Sequence, residues 1–184
     1  CMNVIRQLED NSIDLSVYSP PFSSLYTYSS DERDFSNVDS NEQFLMQYEF
    51  LIEELSRVTK KGRINAIHIT DLCDVNGSLS DFPSDIIKLY KKHGFDYMNR
   101  ITVWKEPLKV KLKTMVKSLM HKFIMEDSTK CFTANPVYIL VFKKRGENEV
   151  PVTHPFGINH YAGEIPILPN MLRAWNNANN TDFT

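Results

Sequence analysis

Four consecutive residues, Ser19-Pro20-Pro21-Phe22, combine hydrogen-bond acceptors with a flat aromatic ring directly after an apolar run. Each proline fixes φ, has no N–H to donate and restricts the residue before it to an extended conformation. The Ser19 hydroxyl and the Pro20 carbonyl are therefore held as acceptors that neighbouring amides are poorly placed to reach. Acceptors beside the Phe22 ring suit a planar group that carries an amine. Two prolines are also a common way to end a strand, and their spacing alone leaves both interpretations open.

The elements that must position these residues follow from the hydrophobic pattern. Residues 13–18 alternate β-branched, aromatic and polar side chains and predict a buried strand, and further strands are predicted over residues 64–70, 95–104 and 137–142. A short helix is predicted over residues 2–8. A capping-box pattern at Ser40 begins a longer helix, which Lys60-Lys61-Gly62 is predicted to end, and Phe82-Pro83 begins a third.

Strands that alternate with helices indicate an α/β fold in which the first three strands run parallel. Ser19 then lies at the carboxyl end of a strand, where open α/β sheets bind their ligands.

The composition is that of an ordinary globular protein. The 184 residues suit a single domain, with 42% hydrophobic and 24% charged residues. Because the formal net charge is only −2, a nucleic-acid partner would have to be bound by a local basic patch. Cys1, Cys73 and Cys131 show no metal-binding or paired spacing, which suggests reduced thiols and a cytoplasmic setting. No apolar run approaches the length of a membrane span, so we expect no membrane partner.

A basic segment lies between the last two predicted strands, within an insert at residues 105–135. Apolar residues recur there at helical spacing among six lysines: Lys105, Lys109, Lys111, Lys113, Lys117 and Lys122. A segment of this kind is a solvated helix face in many proteins. Because it follows a strand at the predicted ligand end of the sheet, it also suits contact with DNA phosphates, which lysines bind without reading sequence. His154 and His160 of the tail have no cysteine or carboxylate at ligand spacing around them, so we expect surface or interface histidines there and no metal site.

The sequence around Ser19 resembles the DNA amino-methyltransferases, whose motif is Ser, Asp or Asn, then Pro-Pro, then Tyr, Phe or Trp. The resemblance covers roughly residues 1–160. It includes the approach Asp10-Asn-Ser-Ile-Asp-Leu-Ser-Val-Tyr18 and the later stretches Val103-Trp-Lys-Glu-Pro107 and Tyr138-Ile-Leu-Val-Phe-Lys-Lys144. It is greatest to phage and bacterial members, including those of restriction-modification systems, in which the catalytic half precedes the cofactor half. It implies a partial Rossmann-like methyltransferase sheet of three parallel strands plus an antiparallel last strand, flanked by helices.

The resemblance also implies roles for individual residues. Ser19, Pro20, Pro21 and Phe22 would bind and stack on a base flipped out of DNA, whose exocyclic amine receives a methyl group from S-adenosylmethionine. Tyr26, Tyr28 and Asp71 are further candidates for the base pocket, although loop tyrosines commonly only pack and Asp71 equally suits a cap. Ser at the first motif position favours cytosine N4 over adenine N6.

One part of the family pattern is missing. In the family, a turn with the pattern Gly-x-Gly lies against the methionine part of the cofactor. None of the six glycines of this sequence forms that pattern. We therefore expect the catalytic half over residues 1–146, a tail over residues 147–184 that leads towards a missing cofactor region, and an isolated chain that is inactive. The catalytic strand would then have a bare edge, which the tail or a second copy in a homodimer would cover. The alternatives are a related methyltransferase acting on protein glutamine, RNA or a small molecule, a non-catalytic DNA-binding remnant, and a purely structural domain.

Overall fold

A computed structural model describes residues 2–21, 29, 31, 34–73, 78–106, 121–130 and 136–153. The chain divides into two compact units, Cys1–Glu149 and Val150–Thr184. All the helices and strands below belong to the first unit, and of the second unit only residues 150–153 are described.

The described part of the first unit contains four α-helices: α1 (Met2–Ile5), α2 (Asn41–Val58), α3 (Phe82–Lys92) and α4 (His121–Glu126), with a 3₁₀ turn at Ser128–Lys130. The predicted start of α2 is confirmed, because the Ser40 side chain accepts a hydrogen bond from the Gln43 amide at 3.2 Å. Pro83 lies in the first turn of α3, where its missing N–H costs nothing. The helix predicted over residues 2–8 is shorter than expected and ends at Ile5.

Over the ranges that the structure describes, four strands form one mixed sheet: β1 (Ile13–Tyr18), β2 (Thr59–Thr70), β5 (Phe95–Val103) and β6 (Val137–Lys144). The strand order is β1-β2-β6-β5. β1 and β2 are parallel, and β6 runs antiparallel to both β2 and β5, so β1, β2 and β5 share one direction. This confirms the predicted arrangement of three parallel strands and an antiparallel last strand, which lies between the second and the third. A short hairpin, β3 (Leu72–Cys73) and β4 (Leu79–Ser80), follows β2 and was not predicted.

The boundary between α2 and β2 differs from the prediction. β2 begins at Thr59, so Lys60, Lys61 and Gly62 lie inside the strand and do not end the helix. The register with β1 jumps between Ile13↔Thr59 and Leu15↔Ile64, so these residues bulge out of the ladder. Gly62 has a φ of 74°, a backbone conformation that favours glycine. The bulge within the strand therefore explains why a glycine occupies this position.

The core lies between one face of the sheet and helices α2 and α3. Its largest members are aromatic, and they stack in pairs such as Phe44 with Tyr48 and Tyr90 with Phe142. Arg57, near the end of α2, holds the segment before β1 by donating to the carbonyls of Ile5 and Leu8 and by pairing with Asp10 at 2.6 Å. The start of β1 is therefore fixed against the end of α2. Among the described residues, no helix is both long and apolar enough to cross a bilayer.

Candidate functional site

Predicted site residues lie along the edge of the sheet that the carboxyl ends of the parallel strands form. Ser19 follows β1, Asp71 follows β2, and Lys105 lies two residues beyond β5. The antiparallel β6 begins at this same edge, because Thr70 pairs with Val137 and the Thr70 hydroxyl donates to the Pro136 carbonyl at 3.0 Å. Strand direction alone thus brings together residues that are distant in sequence.

Ser19 is exposed at this edge, and its side chain contacts one residue of the neighbouring strand. Its hydroxyl donates to the His68 carbonyl at 3.0 Å and lies 3.4 Å from His68 Nδ1. A hydroxyl has one proton and two acceptor lone pairs. Because the proton points to the protein, at least one lone pair is left for a donor from outside.

The two prolines form the wall of a cavity next to Ser19. Pro20 is buried and Pro21 is half-buried, so the extended backbone at this point is fixed by packing as well as by the rings. The cavity has a volume of about 900 Å³ and reaches from Tyr18, Ser19 and both prolines to α1 and α2. Among the described residues no donor binds the Pro20 carbonyl. Ser19 and the prolines therefore border an open space.

Asp71 is half-buried, and its surroundings disfavour the ionised carboxylate. Burial and the nearby Asp81 raise the pKa of Asp71, while the Arg100 guanidinium acts in the opposite direction. A carboxyl group with a raised pKa is a common property of functional sites, although ion networks produce it too. Asp71 thus lies at the edge that the sequence predicted, and its role stays a prediction.

Several predicted site residues lie outside the described residues: Phe22, Tyr26, Tyr28, Lys109, Lys111, Lys113 and Lys117. Two lysines of the basic segment are described. Lys105 is exposed, and its positive charge lowers the pKa of His68, so the start of the segment lies at the same end of the sheet as Ser19. Lys122 is exposed on α4 and lies 3.9 Å from Glu126.

Two residues of the site were missed by the sequence analysis. His68 lies beside Ser19 because the parallel register pairs Tyr18 with Ile67, and the next residues along both strands are Ser19 and His68. Tyr18 points to the helical face, where its hydroxyl contacts those of Tyr48 and Tyr90. A polar residue among the apolar positions of each strand was the available signal in both cases.

A group of three potential metal ligands, Glu49, Glu53 and His93, lies between α2 and the end of α3, with ligand atoms within 4.8 Å of one another. Glu49 already binds Lys92 Nζ and His93 Nε2, both at 2.6 Å. These contacts hold the pKa of Glu49 below its usual value. The arrangement is explained by ion pairs, and we assign it no metal.

The described glycines do not fit the role of a cofactor-binding turn. Gly62, Gly94 and Gly146 all have positive φ, but they lie at the amino ends of the parallel strands, opposite Ser19. A Cβ at Gly62 would lie 2.7 Å from Asn148 Cβ, and one at Gly146 would lie 2.9 Å from Lys61 Cδ. These two glycines make room for the protein's own side chains, so the described residues form no glycine turn for S-adenosylmethionine.

No protein-family model and no curated protein sequence matches the chain. Solved structures match it in fold. A protein from Thermus thermophilus named as a DNA modification methylase, complexed with S-adenosyl-L-methionine, is 20% identical with a TM-score of 0.56 over 82% of this chain and 53% of its own. PvuII DNA methyltransferase (cytosine-N4-specific) is 12% identical with a TM-score of 0.53 over 77% of this chain and 46% of its own. The chain therefore has a methyltransferase fold and spans about half the length of these two structures.

Proposed function

We propose that this chain is the catalytic half of an S-adenosylmethionine-dependent DNA methyltransferase that methylates the exocyclic amine of a flipped-out base. The observation that carries the proposal is the orientation of the Ser19 hydroxyl. Its proton is directed to the His68 carbonyl at 3.0 Å, at the carboxyl end of β1 and beside the cavity bordered by Pro20 and Pro21. The fold shared with two DNA methyltransferase structures supports the reaction class.

The chemistry of an amine explains why acceptors are needed. The lone pair of an exocyclic amine is delocalised into the base, which makes the nitrogen a poor nucleophile. Hydrogen bonds from its two protons to the Ser19 hydroxyl and the Pro20 carbonyl favour a pyramidal nitrogen and free that lone pair. Both acceptors are fixed before charge develops, so the stabilisation requires no rearrangement. Phe22 would hold the base by stacking, worth about 1–3 kcal/mol per base.

The target base must leave the duplex before it reaches Ser19, and flipping costs a few kcal/mol. Lysines that bind phosphates would hold the DNA while this happens. Lys105 is exposed at the same edge of the sheet as Ser19, and the basic segment continues from it to Lys122. We assign the segment to contact with DNA, and we favour cytosine N4 as the target over adenine N6.

The proposal assigns S-adenosylmethionine to the complete protein, where it supplies an electrophilic methyl group. One of the two similar structures is complexed with this cofactor. The described residues of this chain would bind the amine of the base, and they form no glycine turn for the cofactor. We therefore expect a calorimetric titration of the isolated chain to show no micromolar binding of S-adenosylmethionine.

The direct test is methylation by the protein expressed from its complete reading frame. The protein is incubated with S-adenosylmethionine and duplex DNA, RNA or protein, and the products are identified by mass spectrometry. We expect N4-methylcytosine in the DNA. Ser19→Ala should lower the rate by about 100-fold, as expected for the loss of one preorganised hydrogen-bonding group. Ser16→Ala, the same substitution three residues earlier on β1, is the matched control and should keep the rate.

Three results would contradict the proposal in distinguishable ways. Methylation of protein or RNA in preference to DNA would show a different substrate on the same fold. DNA binding without methylation would show a remnant that has lost catalysis. An unchanged rate in Ser19→Ala would show that the hydroxyl is not the acceptor.

A further inference from the structure

His68 offers two atoms to one hydroxyl. Its carbonyl oxygen accepts the Ser19 proton at 3.0 Å, and its Nδ1 lies 3.4 Å from the same Oγ. Strand pairing fixes this arrangement, since β1 and β2 are in parallel register up to Tyr18 and Ile67, directly before the two residues. The contact is therefore built into the sheet.

The protonation state of His68 decides what the Ser19 oxygen presents to a ligand. When Nδ1 has no proton, both His68 atoms attract the Ser19 proton, and the two lone pairs of the hydroxyl face outward. When the imidazole is protonated, Nδ1 becomes a donor and binds one of those lone pairs. The imidazolium also places a positive charge beside the hydrogens of an incoming amine. The first state accepts an amine, and the second opposes it.

We propose, on the basis of the function proposed above, that His68 is a positioning residue whose neutral side chain keeps the Ser19 hydroxyl open to an amine and whose protonation closes it. The role is distinct from that of Ser19, because Ser19 would bind the amine directly, whereas His68 sets what the serine oxygen and its surroundings offer to that amine.

The surroundings of His68 favour its neutral form. Burial lowers the pKa of His68, and the positive charge of Lys105 lowers it further. Across the sheet, β6 presents Ile139, which carries no charge, opposite His68. Asp71 is the nearest described acid along β2, and its own electrostatic partners are Asp81 and Arg100. Both effects favour the neutral imidazole, and the open state is its tautomer with the proton on Nε2, which leaves Nδ1 as an acceptor.

The test compares two nucleosides that differ at the amine. Deoxycytidine carries an exocyclic amine, whereas thymidine is a pyrimidine of similar size that has a carbonyl oxygen there. Each is titrated into the full chain at about pH 7.5 and about pH 5, and binding is followed by NMR at the Ser19 backbone amide. The key variant is His68→Asn, which keeps a polar group near the position of Nδ1 but does not titrate. The resonances of His93 and His121 serve as internal controls.

We expect deoxycytidine to shift the Ser19 resonance and thymidine not to. In the native chain the apparent affinity for deoxycytidine should fall about fivefold on acidification, as protonation of a histidine predicts. In His68→Asn the affinity for deoxycytidine at about pH 7.5 should persist, and acidification should no longer lower it. A purely structural role of His68 would not produce this result. An equal fall in both proteins would overturn the role of His68 and leave the proposed function standing. If neither nucleoside shifts the Ser19 resonance at either pH, both the amine site and the role of His68 are wrong.

Discussion

The hydroxyl of Tyr18 lies 2.5 Å from the hydroxyl of Tyr90 and joins the last residue of β1 to helix α3. A second bond of 2.6 Å joins Tyr18 to Tyr48 of α2. Tyr48 and Tyr90 are completely buried, and burial raises the pKa of all three hydroxyls well above the ordinary value. The residue directly before Ser19 is therefore held from two helices.

The position of Tyr18 between the other two hydroxyls predicts unequal costs of removing each one. Tyr18→Phe breaks two hydrogen bonds and should lower the free energy of unfolding by about 2 kcal/mol, whereas Tyr48→Phe or Tyr90→Phe breaks one bond to Tyr18 and should cost about 1 kcal/mol. Urea denaturation measures these differences. An equal loss of unfolding free energy in the three variants would show that Tyr18 does not form hydrogen bonds with both Tyr48 and Tyr90.

The sequence predicts those parts of this fold that depend on short-range patterns. The strand at Ile13–Tyr18 and the Ser40 cap are local features, and the structure has both. The prediction that this strand is buried is wrong, because β1 is an edge strand of the described sheet and its Leu15 and Val17 are exposed. The bulge around Gly62 was mistaken for a helix end, because a glycine after two lysines is the usual signal for one. His68 was missed for a different reason. A polar residue among the apolar positions of β2 was visible in the sequence, but its importance comes from the register between β1 and β2, which pairs residues 49 positions apart and cannot be read from either segment alone.

The basic segment predicts a specific dependence of DNA binding on salt. If Lys105 binds a phosphate, Lys105→Gln should weaken binding to all sequences alike and reduce the slope of log K against log salt by about 1. Lys122→Gln should do the same, since Lys122 is exposed and its contact with Glu126 is long, at 3.9 Å. Lys88→Gln, on α3, is the matched control. Fluorescence anisotropy at several salt concentrations provides the measurement, and an unchanged slope in both variants would exclude the segment from the interface.

The outer edge of β1 predicts self-association. Within the described sheet β1 has a neighbour on one side only, and its side chains Leu15 and Val17 are 60% and 71% exposed. An open edge with apolar residues favours pairing with a second strand. We propose a homodimer through this edge, which Val17→Lys should weaken at least tenfold. Met98→Lys, on the opposite edge strand β5 where Met98 is 53% exposed, should leave it unchanged. Sedimentation equilibrium measures the oligomeric state, and a monomer at all concentrations would refute the homodimer.

The surroundings of Asp71 predict that its carboxylate lowers the stability of the folded protein at neutral pH, even if it helps to bind the base. Because burial and Asp81 raise the pKa of Asp71, the folded state favours the protonated acid, and ionisation above the ordinary pKa of about 4 opposes folding. The carboxyl's contribution to stability is therefore present at low pH and is lost as the pH rises through its raised pKa. Asp71→Asn, which cannot ionise, should make the protein more stable at neutral pH than the native chain by a few tenths of a kcal/mol, since solvent screens a half-buried group. The gain should vanish near pH 3, where both side chains are neutral.

The same variant should bind deoxycytidine less well if Asp71 helps to orient the base, because an amide is a weaker acceptor than a carboxylate. Asp81→Asn relieves the same repulsion without altering Asp71, so it should stabilise the protein and leave nucleoside binding intact. Denaturation across pH and the NMR titration at Ser19 measure the two effects on the same samples. A gain in stability with unchanged binding in Asp71→Asn would place Asp71 outside the site. A loss of stability would show instead that the attraction of the Arg100 charge outweighs the burial of Asp71.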